Sequence, residues 1–160
     1  MSYKIRKTEA NDIAWVDSLT QTHWGSDFVL SQRQKVYPRE LPGLVALDED
    51  ETRIGLLTYR VVNGTMEIVT LNASRQHQGI GTQLVVGAVA EAQTLNLGVV
   101  WVVTTNDNLD ALRFWQRRGF RLVSLRPGAI GEARRLKPTI PIHGCYNIPI
   151  HDEIKLELTI

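Results

Sequence analysis

The chain has 160 residues, of which 43% are hydrophobic and 22% charged, proportions that are ordinary for one globular domain. Its formal net charge is +1, which favours neither nucleic acid nor an anionic membrane as a partner. The sequence shows no apolar leader and no apolar run near the ~18 residues of a membrane span. We therefore expect a single domain over residues 1–160, located in the cytoplasm, with no nucleic-acid or membrane partner.

Metal binding and disulfide formation are not expected either. Cys145 is the single cysteine and belongs to no CxxC pair. The four histidines lie far apart and lack the spacing of metal ligands. The sequence thus predicts no metal, and a lone cysteine cannot form a disulfide within the chain.

Hydrophobic periodicity predicts the elements of the N-terminal half. In chain order these are a strand over 3–7, a helix from residue 11 or 12, an irregular segment over 22–42 that has room for a short helix, and strands over 43–48, 53–62 and 65–72. Asn63-Gly64 between the last two strands is a strong hairpin signal. The three strands together predict an antiparallel meander.

The C-terminal half changes to a helical period. It predicts a helix over 79–95, a buried strand over 99–105, a short helix over 108–117, a strand over 120–125, a proline-rich loop over 126–152 with one helical turn near 132–136, and a last strand. Strand, helix and strand around 65–105 predict a right-handed parallel crossover. The fold class is therefore α/β with a mixed sheet.

The turn RQHQGIGTQLV, residues 75–85, joins a strand to a helix and carries Gly79 and Gly81. Unpaired backbone amides at a helix N-terminus attract anions, and glycines let a phosphate approach closely. On spacing alone, a plain tight turn is an equal alternative. A Rossmann site fits poorly because Leu84 stands at the third glycine position, and no GK[ST] follows to make a P-loop.

A second segment, NDNLDALRFWQRRGF, follows the buried strand. Together the two segments resemble the GNAT N-acetyltransferase superfamily, in particular a bacterial subgroup of it. The acetyl-CoA signature [Q/R]-x-x-G-x-[G/A] corresponds to 76–81, and N-x-x-A-x-x-[L/F]-Y-x-x-x-G-F corresponds to 108–120, with Trp115 at the tyrosine position. The resemblance implies a mostly antiparallel sheet of six to seven strands flanked by helices, with the parallel crossover at the acetyl-CoA site.

The resemblance also implies which residues bind acetyl-CoA. Backbone amides of 76–82 would bind the pyrophosphate, the main chain at the end of the fourth strand would pair with the pantetheine arm, and the ring at position 115 would lie beside the thioester sulfur. The implied set is Leu71, Asn72, Gln76, His77, Gln78, Gly79, Ile80, Gly81, Thr82, Asn108, Ala111 and Trp115. The implied reaction is direct attack of a primary amine on the acetyl thioester in a ternary complex.

Such an amine is almost fully protonated at neutral pH, so a general base is expected. Glu67 is the best-placed candidate, because strict alternation puts it on one face with Val69 and Leu71, towards the cleft; a structural strand glutamate is the alternative. Asp27 and Glu40 are weaker contenders.

Trp115 departs from the family pattern. Tyrosine is usual there and protonates the departing thiolate, which an indole cannot do near neutral pH. Trp115 is a catalytic candidate by position, and it is also a plausible core residue. Its presence keeps a second interpretation open, a non-catalytic acyl-CoA-binding or sensing module.

Acceptor residues are expected in the two irregular regions, with Trp24 and Tyr146 as candidates. Cys145 is expected to be a buried small residue. The cluster over 134–137 is expected to be a solvated face, with an acidic acceptor or the CoA 3′-phosphate as the alternative ligand. A homodimer formed through a sheet edge or the C-terminal strands also stays open.

Overall fold

The structure is a computed structural model that describes residues 2–74 and 78–160. Its elements in chain order are β1 (Lys4–Lys7), a 3-10 helix (Ala10–Asp12), α1 (Ile13–Trp24), β2 (Val29–Ser31), β3 (Gln34–Val36), a 3-10 helix (Pro38–Glu40), β4 (Gly43–Leu47), β5 (Arg53–Val62), β6 (Thr65–Ala73), α2 (Ile80–Thr94), β7 (Val99–Thr105), α3 (Leu109–Arg117), β8 (Arg121–Arg126), α4 (Ala129–Leu136), a 3-10 helix (Cys145–Asn147) and β9 (Glu153–Thr159).

One seven-stranded sheet in the order β1-β4-β5-β6-β7-β9-β8 dominates the fold. Its neighbours pair antiparallel except β6 and β7, which are parallel and joined by α2. The predicted mixed, mostly antiparallel sheet with a parallel crossover is thereby confirmed. At the β5–β6 hairpin, Asn63 and Gly64 have φ values of 48° and 73°, the positive pair that a two-residue hairpin turn requires.

Helix α2 packs its apolar stripe on the middle of the sheet. Leu84, Ala88 and Ala92 are fully buried, at the four-residue spacing that places side chains on one helix face. Gly55 on β5 lets the helix come close, since a Cβ there would lie 2.8 Å from Cγ2 of Ile80. This packing fixes the N-terminus of α2 at the end of β6.

Asp12 ties the start of α1 to the sheet. Its side chain is fully buried and accepts from Arg6 Nη1 at 2.7 Å, Arg53 Nε at 2.8 Å and the Glu9 amide at 2.7 Å. These partners, Arg6 foremost, hold the pKa of the Asp12 carboxyl well below its usual range. The helix is therefore anchored by charge as well as by apolar contacts.

The segment over 22–42 differs from the expectation, because it contains the β2–β3 hairpin as well as a single 3-10 turn. Strands of three residues are too short to show a period, and the hairpin turn is made by Gln32 and Arg33, at φ 47° and 70°. These residue types do not signal a turn with positive φ. Similarly, the helical turn expected near 132–136 is the longer helix α4.

A bulge in β6 changes which residues share a face. Thr58 of β5 pairs with Thr70, whereas the next residue, Tyr59, pairs with Ile68, so Val69 is an extra residue. Since directly paired residues point to the same side of a sheet, Glu67 shares a face with Thr70. The expectation that Glu67 shares a face with Leu71 is therefore wrong, because it assumed unbroken alternation.

Candidate active site

Strands β6 and β7 diverge and leave a cleft between them. They pair at two positions, Met66 with Val100 and Glu67 with Trp101, although β6 continues to Ala73. Beyond Glu67, the described residues supply no strand on this side of β6. The cleft has a volume of about 650 Å³ and is lined by β6, β7, the β2–β3 hairpin, the end of α1, and one side each of α3 and α4.

The N-terminus of α2 adjoins the end of β6, since a Cβ at Gly81 would lie 4.0 Å from Cδ2 of Leu71, a residue that lines the cleft. Gly79 caps this helix with φ 74° and without a side-chain hydrogen bond, so the first amides of the helix have no intrahelical partner. A Cβ at Gly79 would meet nothing within 4 Å. The turn is thus an open, positively polarised backbone surface suited to an anion.

Of the residues predicted in this turn, Gln78 is exposed, and the Ile80 side chain is buried in the core. Gly81 lies over α3, where a Cβ would touch the Phe114 ring at 3.5 Å. Gln76 and His77 lie outside the described residues. The backbone of 78–82, rather than its side chains, is therefore the part of the turn that is suited to an anion.

Arg118 is a functional candidate that the sequence analysis missed. Its guanidinium donates from Nε at 3.0 Å and from Nη2 at 2.6 Å to Oγ1 of Thr82, and it stacks 3.9 Å from the Phe114 ring centroid. It forms no ion pair with any described carboxylate. An arginine three residues after a motif position gives no local signal, yet the fold brings this cation to the first turn of α2.

Helix α3 contributes the second motif to the cleft. Oδ1 of Asn108 caps the helix by accepting from the Ala111 amide at 3.1 Å. Asn108 and Ala111 both line the cleft. The Trp115 ring packs edge-on against Phe114 and Phe120, with centroids 5.0 and 4.9 Å away. Trp115 is thus a core residue, as one of its two interpretations expected, and it also lines the cleft.

Glu67 lies on the floor of the cleft. Its side chain is fully buried, and its two oxygens accept from Ser31 Oγ at 2.5 Å and Arg60 Nε at 2.6 Å. Burial raises the pKa of Glu67 above its ordinary value, the bonds from Ser31 and Arg60 oppose that rise, and the charge of Glu153 adds to it. The cleft therefore contains a desolvated carboxylate held by two donors.

The other two carboxylates considered as bases are not brought to the cleft. Asp27 pairs with Arg39 at 2.8 Å, and this bond lowers the pKa of Asp27. Glu40 lies in the 3-10 helix after β3 and is exposed. Neither residue lines the cleft, so Glu67 is the one of the three predicted bases that does.

Of the two residues predicted to bind the acceptor, one lines the cleft and the other does not. Trp24, at the end of α1, lines the cleft. Tyr146 is 65% exposed, its hydroxyl donates to Oδ1 of Asp110 at 2.7 Å, and it lies outside the cleft lining. Its neighbour Cys145 is exposed rather than buried, although its amide donates to Oδ2 of the buried Asp107 at 2.9 Å.

The basic cluster over 134–137 is not a uniformly solvated face. Arg134 donates to the carbonyls of Ile140, Pro141 and Ile150 and so fastens α4 to the proline-rich loop. Lys137 is buried and lines the cleft. Only part of the cluster faces solvent, because α4 lies against the cleft on one side.

Residues 2–74 and 78–160 contain neither a membrane-spanning helix nor a metal-binding cluster of His, Cys, Asp and Glu. No helix in them is both long and apolar enough to cross a bilayer. The same residues contain no group of three His, Cys, Asp or Glu side chains able to hold a metal ion.

Comparison with known proteins agrees with this geometry. Residues 10–120 match the model of the Acetyltransferase (GNAT) family. The chain belongs to this family. It is 37% identical over 141 residues to uncharacterized protein YxbD of Bacillus subtilis strain 168, covering 88% of this chain and 89% of the relative.

Solved structures share the fold. An IAA acetyltransferase from Bacillus cereus ATCC 14579 superposes with a TM-score of 0.78 at 23% identity, covering 99% of this chain and all 100% of the other. A Bacillus subtilis acetyltransferase in complex with CoA gives 0.72 at 18% identity, covering 99% of each chain. Sequence similarity at this level establishes the common architecture alone.

Proposed function

We propose that this protein is an N-acetyltransferase that transfers the acetyl group of acetyl-CoA to a primary amine of a small molecule or peptide. The observation that carries the proposal is the cleft between β6 and β7, where the buried Glu67 carboxylate and the Trp115 ring line one space. Membership of the GNAT family and the CoA complex of a structural neighbour support it.

Three features of the chain fit acetyl-CoA, which would supply an activated acyl thioester. The free amides at the start of α2 suit the pyrophosphate, and Arg118 adds a positive charge beside them. The unpaired edge of β6 at Leu71 and Asn72 offers main-chain groups to the pantetheine amides. Asn72 also has a buried Oδ1 without a hydrogen-bond partner, an acceptor for which a bound donor would compensate.

The reaction requires the amine to lose a proton. At pH 7 the neutral form of an alkyl amine costs about 4–5 kcal/mol. Glu67 receives the proton, directly or through one water, while Ser31 and Arg60 hold its two oxygens in place. The amine nitrogen then bonds to the acetyl carbon, the C–S bond breaks, and CoA leaves as a thiolate.

Departure of the thiolate needs no acid from the protein. A thiol with a pKa of about 8.5 is a fair leaving group. The Trp115 indole N–H is able to donate a hydrogen bond but not to supply a proton. Trp115 is therefore compatible with turnover, and its ring forms part of the wall of the cleft.

Two variants test the proposal by measuring thiol release from acetyl-CoA with a broad panel of amines. Glu67→Gln keeps the size of the side chain and removes the base, so the rate should fall by about 10²- to 10⁴-fold. Glu91→Gln is the matched control, since Glu91 lies on α2 and pairs with Lys7 outside the cleft. Equal rates for the two variants would rule out Glu67 as the base.

Cofactor binding is tested separately by thermal shift with acetyl-CoA. Gly81→Glu places bulk and negative charge at the start of α2 and should abolish the shift, whereas Gly98→Glu, at an exposed glycine with nothing within 4 Å, should retain it. Retained binding in Gly81→Glu contradicts the assignment of the turn. Tight binding without thiol release for any amine would instead favour the non-catalytic acyl-CoA-binding module.

A further inference from the structure

Lys137 is a buried cation in the cleft that the proposed chemistry does not use. It follows the last residue of α4, is 7% exposed and lines the cleft. Its Nζ donates to the Phe28 carbonyl at 3.1 Å and lies 5.2 Å from the Phe28 ring centroid. An ammonium has three donors, so this contact leaves two of them unused.

The other cations that line the cleft are neutralised. Arg126 pairs with Glu153 at 2.7 Å, and Arg33 pairs with Glu132 at 3.2 Å. Lys137, by contrast, forms no ion pair with any residue that the structure describes. A buried charge without a counter-ion is costly, and burial accordingly lowers the pKa of Lys137, with no carboxylate to oppose it. An anion entering the cleft would relieve this cost.

Residues 28–31, which include strand β2, contact both Lys137 and the candidate base Glu67. Lys137 is bonded to Phe28, and Ser31, three residues further on, is bonded to Glu67. Extended chain rises about 3.3 Å per residue, so the backbone of Phe28 and that of Ser31 lie at most about 10 Å apart. Lys137 and Glu67, which are bonded to these two residues, both line the cleft. A compact acceptor that carries an amine and a carboxylate matches this pair of groups.

We propose that the acceptor is an amino acid or a closely related amino carboxylate, whose carboxylate binds Lys137 while its amine faces Glu67. The inference rests on the proposed function and names the substrate class of the same site. The carboxylate is matched to Lys137 by charge, by burial and by the two free donors. A diamine or polyamine would instead place a second cation against the unpaired ammonium.

The experiment compares matched pairs of acceptors, each an amino acid and the amine that lacks its carboxylate, such as phenylalanine with 2-phenylethylamine and β-alanine with ethylamine. The wild type should give the higher kcat/KM with the amino acid of a pair. Lys137→Met should reduce that preference by about 10- to 100-fold, mainly through KM, as expected for loss of a charged hydrogen bond. Arg135→Met, which removes an exposed cation of the same helix, should leave the preference unchanged.

A wild type that prefers the amine of each pair overturns the inference, as does a preference that Lys137→Met leaves intact. If no pair is turned over, calorimetry of each amino acid and amine is performed on the protein saturated with CoA, and the absence of Lys137-dependent amino-acid binding is then the refuting result. Failure of the proposed function looks different, because acetyl-CoA then gives no thermal shift or no amine of any class releases thiol.

Discussion

Replacing Ser31 with alanine is expected to shift the pH dependence of catalysis without removing the base. The Ser31 hydroxyl donates to Oε2 of Glu67 at 2.5 Å, a bond that favours the ionised carboxylate. A hydrogen bond to a charged group contributes about 1.5–3 kcal/mol, and one pKa unit corresponds to about 1.4 kcal/mol. Loss of the bond should therefore raise the pKa of Glu67 by about one to two units.

The direction of the effect follows from the role of Glu67. A general base acts when it is ionised, so the rate falls as the pH drops through its pKa, which burial already raises. In Ser31→Ala the acidic limb of kcat/KM should move upward by about one to two pH units. Above both limbs the two proteins should react at similar rates. The assay is thiol release at saturating acetyl-CoA across the acidic and neutral range.

Ser26→Ala is the matched control for this experiment. The Ser26 hydroxyl donates to the Phe28 carbonyl at 2.8 Å, so the variant removes one hydroxyl from the same segment without touching Glu67. Its acidic limb should coincide with that of the wild type. If the limb of Ser31→Ala also stays in place, Glu67 is not the group whose ionisation controls the rate, and the assignment of the base is refuted.

Three further predictions concern other parts of the chain. Trp115→Phe should keep kcat within about threefold, since no proton source is lost, and should lower the free energy of unfolding by about 1 kcal/mol; a large fall in kcat at normal stability contradicts this role. Asp12→Asn should lower the free energy of unfolding by about 2–3 kcal/mol above the ordinary carboxyl pKa. The wild type should lose the same stabilisation as the pH falls towards the depressed folded-state pKa, so urea titrations of the two proteins should converge in acid. Finally, if β8 forms a homodimer through its edge, where Leu122 is 54% exposed, Leu122→Lys should elute as a monomer and the wild type as a dimer, and a monomeric wild type would contradict this.

The sequence predicted the long, strongly periodic elements closely. β5 and β7 occupy the predicted ranges 53–62 and 99–105, because continuous apolar or alternating runs bounded by turn residues leave little freedom. The hairpin β2–β3 was missed, although it supplies Ser31. Strands of three residues are stabilised by pairing with each other and by packing on the rest of the fold. A local sequence pattern shows neither interaction.

The sequence likewise indicated some residues of the candidate site and not others. Glu67 was identifiable from its strand, but its two partners were not, since Arg60 and Ser31 come from different elements and meet it only in the folded chain. Arg118 and Lys137 were hidden for a related reason. Both belong to runs of basic residues, RR and RRLK, in which the sequence does not distinguish the member that turns inward from those that face solvent.

The bulge at Val69 links the two halves of the proposed site. With unbroken alternation, Glu67 would lie on the same face of β6 as Leu71, which packs against the core beneath α2. The strand would then bury the Glu67 carboxylate in that apolar core or lose the core contacts of Leu71. The extra residue turns Glu67 towards Ser31 while Leu71 keeps its core contacts. It also bends β6 near the point where its pairing with β7 ends, which leaves the strand edge free for the proposed cofactor. One inserted residue therefore both orients the candidate base and opens the cleft beside it.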